Sequence, residues 1–148
     1  MRSRVVLAAL GAFILSACSG AGSKSDGPVR VTDAWCRPSP VGAQTGACFL
    51  KLRAKATETL TSVASPAAST VQIHSVSTEG GQMRMQEMPN GLALPAGQTV
   101  TLAPGGDHIM LMGLVDPLTE GEVVSLTLGF TNAEPMTVHA EVKPPPAR

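Results

Sequence analysis

Apolar and polar residues alternate with a period of two in short runs along most of the chain. From Val29 onward the runs are VRVTDAW (29–35), CFLKLRA (48–54), VQIHSV (71–76), QTVTLAP (98–104), HIMLMGL (108–114), EVVSLTLGF (122–130) and MTVHAEV (136–142). Alternation of this kind puts one side of an extended segment in a core and the other in water, so each run predicts a β-strand. Turn formers separate the runs: Ser65-Pro66, Glu79-Gly80-Gly81, Pro89-Asn90-Gly91, Pro95-Ala96-Gly97, Pro104-Gly105-Gly106 and Glu120-Gly121. No segment shows a capped apolar stripe at helical spacing, and there is no internal repeat. The pattern predicts a single all-β domain over 29–142, an antiparallel sandwich or barrel with Greek-key topology, followed by a short extended Pro-rich tail over 143–148.

The first residues follow a different pattern. Arg2 and Arg4 precede an apolar run from Val5 to Leu15, too short to span a bilayer but of the right length for the core of a secretory signal over residues 1–17. Leu15-Ser16-Ala17-Cys18 resembles the lipobox of bacterial lipoproteins, which implies cleavage before Cys18 and a diacylglycerol on its sulfur. The alternative is an ordinary signal peptide cut after Ala17 or Ala21. Residues 18–28 are small and polar beyond Cys18 and predict a flexible tether. The expected product is an exported lipoprotein, held at a membrane by its acyl chains and facing the periplasm or the cell exterior.

Composition narrows the partners. The chain has 148 residues, 43% of them apolar and 15% charged, which suits one domain. Eleven Lys and Arg balance eleven Asp and Glu, and loss of Arg2 and Arg4 leaves a formal charge of −2. That excludes the basic footprint of a nucleic-acid binder, and the chain is taken as a monomer. With one Trp, no Tyr and three Phe, the core must be built from aliphatic residues and Met. Beyond Cys18 two cysteines remain, Cys36 and Cys48. In an oxidising compartment an even count predicts a disulfide, here across two strands. A redox or metal-binding thiol pair is the competing reading, against which stand the eleven residues between them where a CxxC motif has two.

Five of the six methionines beyond the signal fall between Met83 and Met112, interleaved with His74 and His108. On strands, Met83 and Met85 share one face, and His108, Met110 and Met112 share another, with Ile109 and Leu111 opposite. Thioethers and neutral imidazoles form a soft donor set suited to Cu(I) rather than to calcium, magnesium or catalytic zinc. The structural alternative is that these methionines fill a core short of aromatic residues.

These residues resemble the PCu(A)C family of periplasmic copper chaperones. The resemblance covers Val29 to Val142 and includes Asp33-Ala34-Trp35, the strand Gly46 to Leu52, Val-x-Ile-His at 71–74, Met-x-Met at 83–85, the Leu-Pro-Ala-Gly turn and the run Pro104 to Met112. The family's copper motif is a His, a Met eleven positions on, and His-x-Met after some twenty-two further residues, which His74, Met85, His108 and Met110 match. The resemblance implies a cupredoxin-like β-sandwich that binds one Cu(I) and serves cytochrome c oxidase, with a copper-accepting oxidase subunit or a Sco-type assembly protein as partner. Met83 and Met112 are auxiliary candidates. Two departures stand out. Val76 replaces a methionine that many members carry two positions after the first His, and Met136 and His139 fall on opposite faces of one strand, which argues against a second site. Copper sequestration and a metal-free structural lipoprotein are the competing functions. No nucleophile elbow or paired-carboxylate motif suggests an enzyme, and blue-copper electron transfer would need a thiolate ligand.

Overall fold

A computed structural model describes residues 27–147; the expected signal peptide, Cys18 and the expected tether as far as residue 26 lie outside the described residues. Ten strands follow one another: β1 (Val29–Cys36), β2 (Thr45–Ala54), β3 (Glu58–Ala64), β4 (Ala68–Glu79), β5 (Gln82–Glu87), β6 (Leu92–Leu94), β7 (Thr99–Thr101), β8 (His108–Leu114), β9 (Val123–Phe130) and β10 (Met136–Val142). Hydrogen bonds link them in the order β5-β4-β8-β2-β1-β10-β9-β3-β6, with β7 added to β2. The domain is all-β, as the alternation predicts, but the sheet is mixed: β1 and β10 run parallel through Trp35 and Cys36 opposite Glu141 and Val142. Residue alternation specifies which side of a strand is buried and is silent on the direction of its neighbour.

Leu50, Leu52, Ile73, Ile109 and Leu111 from β2, β4 and β8 share one buried cluster with Leu60, Leu94, Leu126 and Leu128 from β3, β6 and β9. The two halves of the sheet therefore fold against each other as the layers of a sandwich. Each such side chain contributes about 1.5–3 kcal/mol when fully buried. Cys36 and Cys48 are register partners on β1 and β2, fully buried, and joined as a disulfide. The bridge locks the two strands that present Trp35 and Phe49 on the opposite, outer face. The Pro-rich tail runs against the domain: the Lys143 amide donates to the Cys36 carbonyl, and Pro144 and Pro146 wall a groove beside Trp35.

Glu58 is a carboxylate at a buried strand position. It accepts backbone amides from Thr59 (2.9 Å), Asn132 (3.1 Å) and Ala133 (2.8 Å), which fixes the β9–β10 connection to β3. Those amides, the Thr59 N–H foremost, hold its pKa below the usual 4.5. A depressed carboxylate contributes stability that is present above its unfolded value and is lost as pH falls through its folded one. Glu58→Gln should therefore lower the melting temperature by several degrees at pH 7. It should also flatten the acid limb of a stability-versus-pH curve below pH 4.5, measured by thermal melts across the range.

Candidate metal centre

The register of β4 against β8 sets Gln72 opposite Met110 and His74 opposite His108. Paired residues on antiparallel neighbours point to the same side, so these four side chains share the outer face while Ile73, Ile109 and Leu111 enter the core. Pairing with β8 ends at His74 and His108. Beyond that row β4 continues with β5 alone, as a hairpin in which Val76 faces Met85 and Thr78 faces Met83. Its turn is Gly80-Gly81, both at positive φ (59° and 77°), the geometry a two-residue hairpin loop requires. The Val76 amide donates to Asp107 Oδ1 at 3.3 Å, tying the loop before β8 to this hairpin.

The two imidazoles meet edge to face with ring centroids 5.8 Å apart. His108, only 7% exposed, has Nδ1 2.9 Å from the Gly106 carbonyl. A carbonyl can only accept, so Nδ1 carries the proton and Nε2 keeps a free lone pair. His74 has Nε2 2.9 Å from the Gln72 side-chain oxygen, while its Nδ1 is buried with no hydrogen-bond partner. Donation from Nε2 to Gln72 leaves that Nδ1 unprotonated, and an orphaned buried acceptor is costly unless something supplies its missing partner. Burial, with neighbouring His108 adding to it and Glu87 across β5 opposing, holds the His74 pKa below its ordinary 6.5. The ring is neutral at neutral pH, as a metal ligand must be.

Met83, Met85, His108 and Met110 line one open cleft of about 340 Å³, together with Phe49, Arg37 and Arg84. His74 adjoins it through the His108 ring. Met112, two residues further along β8 and flanked by Thr45 and Thr70, does not line it. Of the six methionines among the described residues, Met88 and Met136 pack against the core. Met83 and Met85 are 66% and 57% exposed, so the core-filling explanation fails for both. Met110 stands on the outer face opposite Ala47. Among the described residues no group of three or more His, Cys, Asp or Glu is placed to hold a metal. An ion held here must use thioethers, which selects a soft, low-charge cation. His139 lies elsewhere, on β10, with Nδ1 3.2 Å from Ser125 Oγ.

Phe49, Arg37 and Gln72 escaped the sequence reading. Phe49 packs between Trp35 (4.7 Å between centroids) and His108 (6.3 Å), and the Arg37 guanidinium lies 6.0 Å above its ring. Gln72 was legible, since period two puts it on the His74 side of β4.

Residues 29–142 match the family described as "Putative lipoprotein LpqE-like". A "Putative lipoprotein Lxx21020" of Leifsonia xyli subsp. xyli is 39% identical over 122 residues, 82% of this chain and 73% of that protein. Among solved structures, the Cu(I) form of DR1885 from Deinococcus radiodurans superposes with a TM-score of 0.65 at 34% identity, covering 80% of this chain and 81% of that one. The copper-bound PCuAC domain from PmoF2 superposes with a TM-score of 0.67 at 25% identity over 80% of this chain and 95% of that one.

Proposed function

The chain belongs to the LpqE-like lipoprotein family and its domain is of the PCuAC type, and from that membership we propose that it is an extracytoplasmic, membrane-anchored Cu(I) carrier. It takes one ion through His74, Met85, His108 and Met110, with Met83 as the nearest auxiliary donor. It then passes the ion to an oxidase subunit or a Sco-type thiol protein. The observation that carries this reading is the cleft in which Met85, His108 and Met110 converge beside a buried, partnerless imidazole nitrogen. The copper-bound PCuAC domain from PmoF2 and the Cu(I) form of DR1885, which share the fold, support it. Neutral soft donors add no charge to the ion, so the cleft can hold Cu(I) and still yield it to a thiolate.

The test is an anaerobic titration of the exported chain with Cu(I) against a chromogenic Cu(I) chelator. One equivalent should bind, and emission from Trp35, linked to His108 through Phe49, should change in step. Failure to compete for any Cu(I) would remove the proposal. Protons compete only for the imidazoles, so affinity should weaken on acidification, and the depressed pKa of His74 moves its share of that loss to lower pH than an ordinary imidazole would show. The Gln72→Leu variant should weaken Cu(I) binding by about 10-fold or more, since hydrogen bonds that orient a ligand are worth roughly 10–100-fold in affinity. Its melting temperature should barely change, and the nitrogen shifts of His74 in the apoprotein should report a mixture of tautomers.

A further inference from the structure

The outer face that carries the cleft is cationic, although the chain beyond its signal has a formal charge of −2. Arg37 and Arg84 are among the residues lining the cleft, and no carboxylate is. Along the same face of β1 and β2, beyond Phe49, Arg30 and Arg53 are direct cross-strand partners and both are exposed. Like charges placed opposite one another on adjacent strands destabilise a sheet, so this pair carries a cost that packing does not explain. Two ion pairs on this domain involve other cations, Lys51 with Asp33 and Lys143 with Glu141. Three carboxylates stand near this face, and two are engaged: Asp33 pairs with Lys51, Asp107 accepts from the Val76 amide, and Glu87 stands opposite His74 on β5. Asp116, Glu120 and Glu122 belong to the β8–β9 connection, beyond the end of β8 remote from His108.

We infer that this face, with the cleft inside a frame of Arg30, Arg37, Arg53 and Arg84, is the docking surface for an acidic copper-accepting protein. The inference rests on the copper reading above and names the chemistry of its partner: a protein whose own copper site is ringed by Asp and Glu. Charge complementarity of this kind steers encounter and sets the orientation of approach. Nearby guanidinium groups also disfavour retention of a cation, so the frame that attracts the acceptor favours release toward it. A protein fits better than an anionic bilayer, because lipid laid over this face would close the cleft through which the ion must leave.

The experiment uses the exported chain with Cys18→Ala, so that no acyl chain contributes, loaded with Cu(I) and mixed with a soluble, acidic, apo oxidase copper-domain fragment. Transfer should slow by about tenfold or more between low and physiological salt. It should slow by a similar factor at low salt when Arg30→Glu and Arg53→Glu are combined. Neither residue lines the cleft, and their replacement removes no core contact, so the Cu(I) affinity and the melting temperature of the double variant should stay at the parent's values. Transfer that ignores both salt and charge reversal overturns the docking surface while leaving the copper site standing. So does reversal that abolishes sedimentation with phosphatidylglycerol vesicles but leaves transfer unchanged, which would assign the face to lipid. Parent protein that binds no Cu(I) overturns the copper reading, and this inference with it.

Discussion

Met110→Leu should reduce Cu(I) affinity by on the order of 100-fold, at the upper end of or beyond the range for residues that merely orient ligands. The change keeps the volume and apolar character of the side chain and removes only the sulfur, so stability should fall by less than about 1.5 kcal/mol. Met85→Leu, on the exposed hairpin, should lose affinity comparably with no stability cost at all. His108→Leu should be as damaging to binding, with an added penalty because the Gly106 carbonyl loses its donor. Met88→Leu is the control: Met88 packs against the core and lies off the cleft, so it should bind copper normally. The measurement is chelator competition at fixed pH, with thermal melts of each variant in parallel. Equal losses across Met85, Met88 and Met110 would mean that packing had been mistaken for ligation.

Much of this architecture can be read from alternation alone, and the exceptions have physical causes. Each of the seven alternating runs overlaps a strand, and HIMLMGL and MTVHAEV coincide with β8 and β10 residue for residue. β3 breaks the rule because its first residue, Glu58, is a carboxylate buried for the sake of backbone donors in a distant turn. β5 has no buried side, because every residue from Gln82 to Glu87 is exposed on a hairpin with no second layer over it. β6 has only three residues, too few for a period to register. The candidate site divides the same way. Period two places His108 with Met110, and His74 with Gln72, but nothing in either strand announces that His74 and His108 share a row. Register is a property of pairs of strands, and for the ligand set it was the resemblance to copper chaperones, not the alternation, that joined the two halves. Phe49 and Arg37 reach the cleft from β2 and from the residue after β1, contributions only the folded sheet makes visible.

Loss of the disulfide should separate stability from metal binding. Combining Cys36→Ala with Cys48→Ala should lower the stability of the domain by on the order of 3 kcal/mol, the chain-entropy value for a loop of this size. That corresponds to a fall in melting temperature of roughly 10 °C for a domain of about 120 residues. Alanine is preferred to serine because both positions are fully buried on the core face, where a hydroxyl would find no partner. Cu(I) affinity should survive well below the melting transition: the sulfurs face the core, whereas the cleft opens on the other side of the same strands. A smaller effect should nonetheless appear, because the bridge holds β1 against β2 at the residues next to Trp35 and Phe49, and Phe49 is packed on His108. A twofold or threefold weakening of binding, alongside the large loss of stability, is the expected pattern, checked by chelator competition at 10 °C and by calorimetry. A variant that remains folded yet binds no Cu(I) would transfer the site to the thiols. Full retention of both stability and binding would show that the buried leucines of β2 and β8 hold the outer face in shape without the bridge.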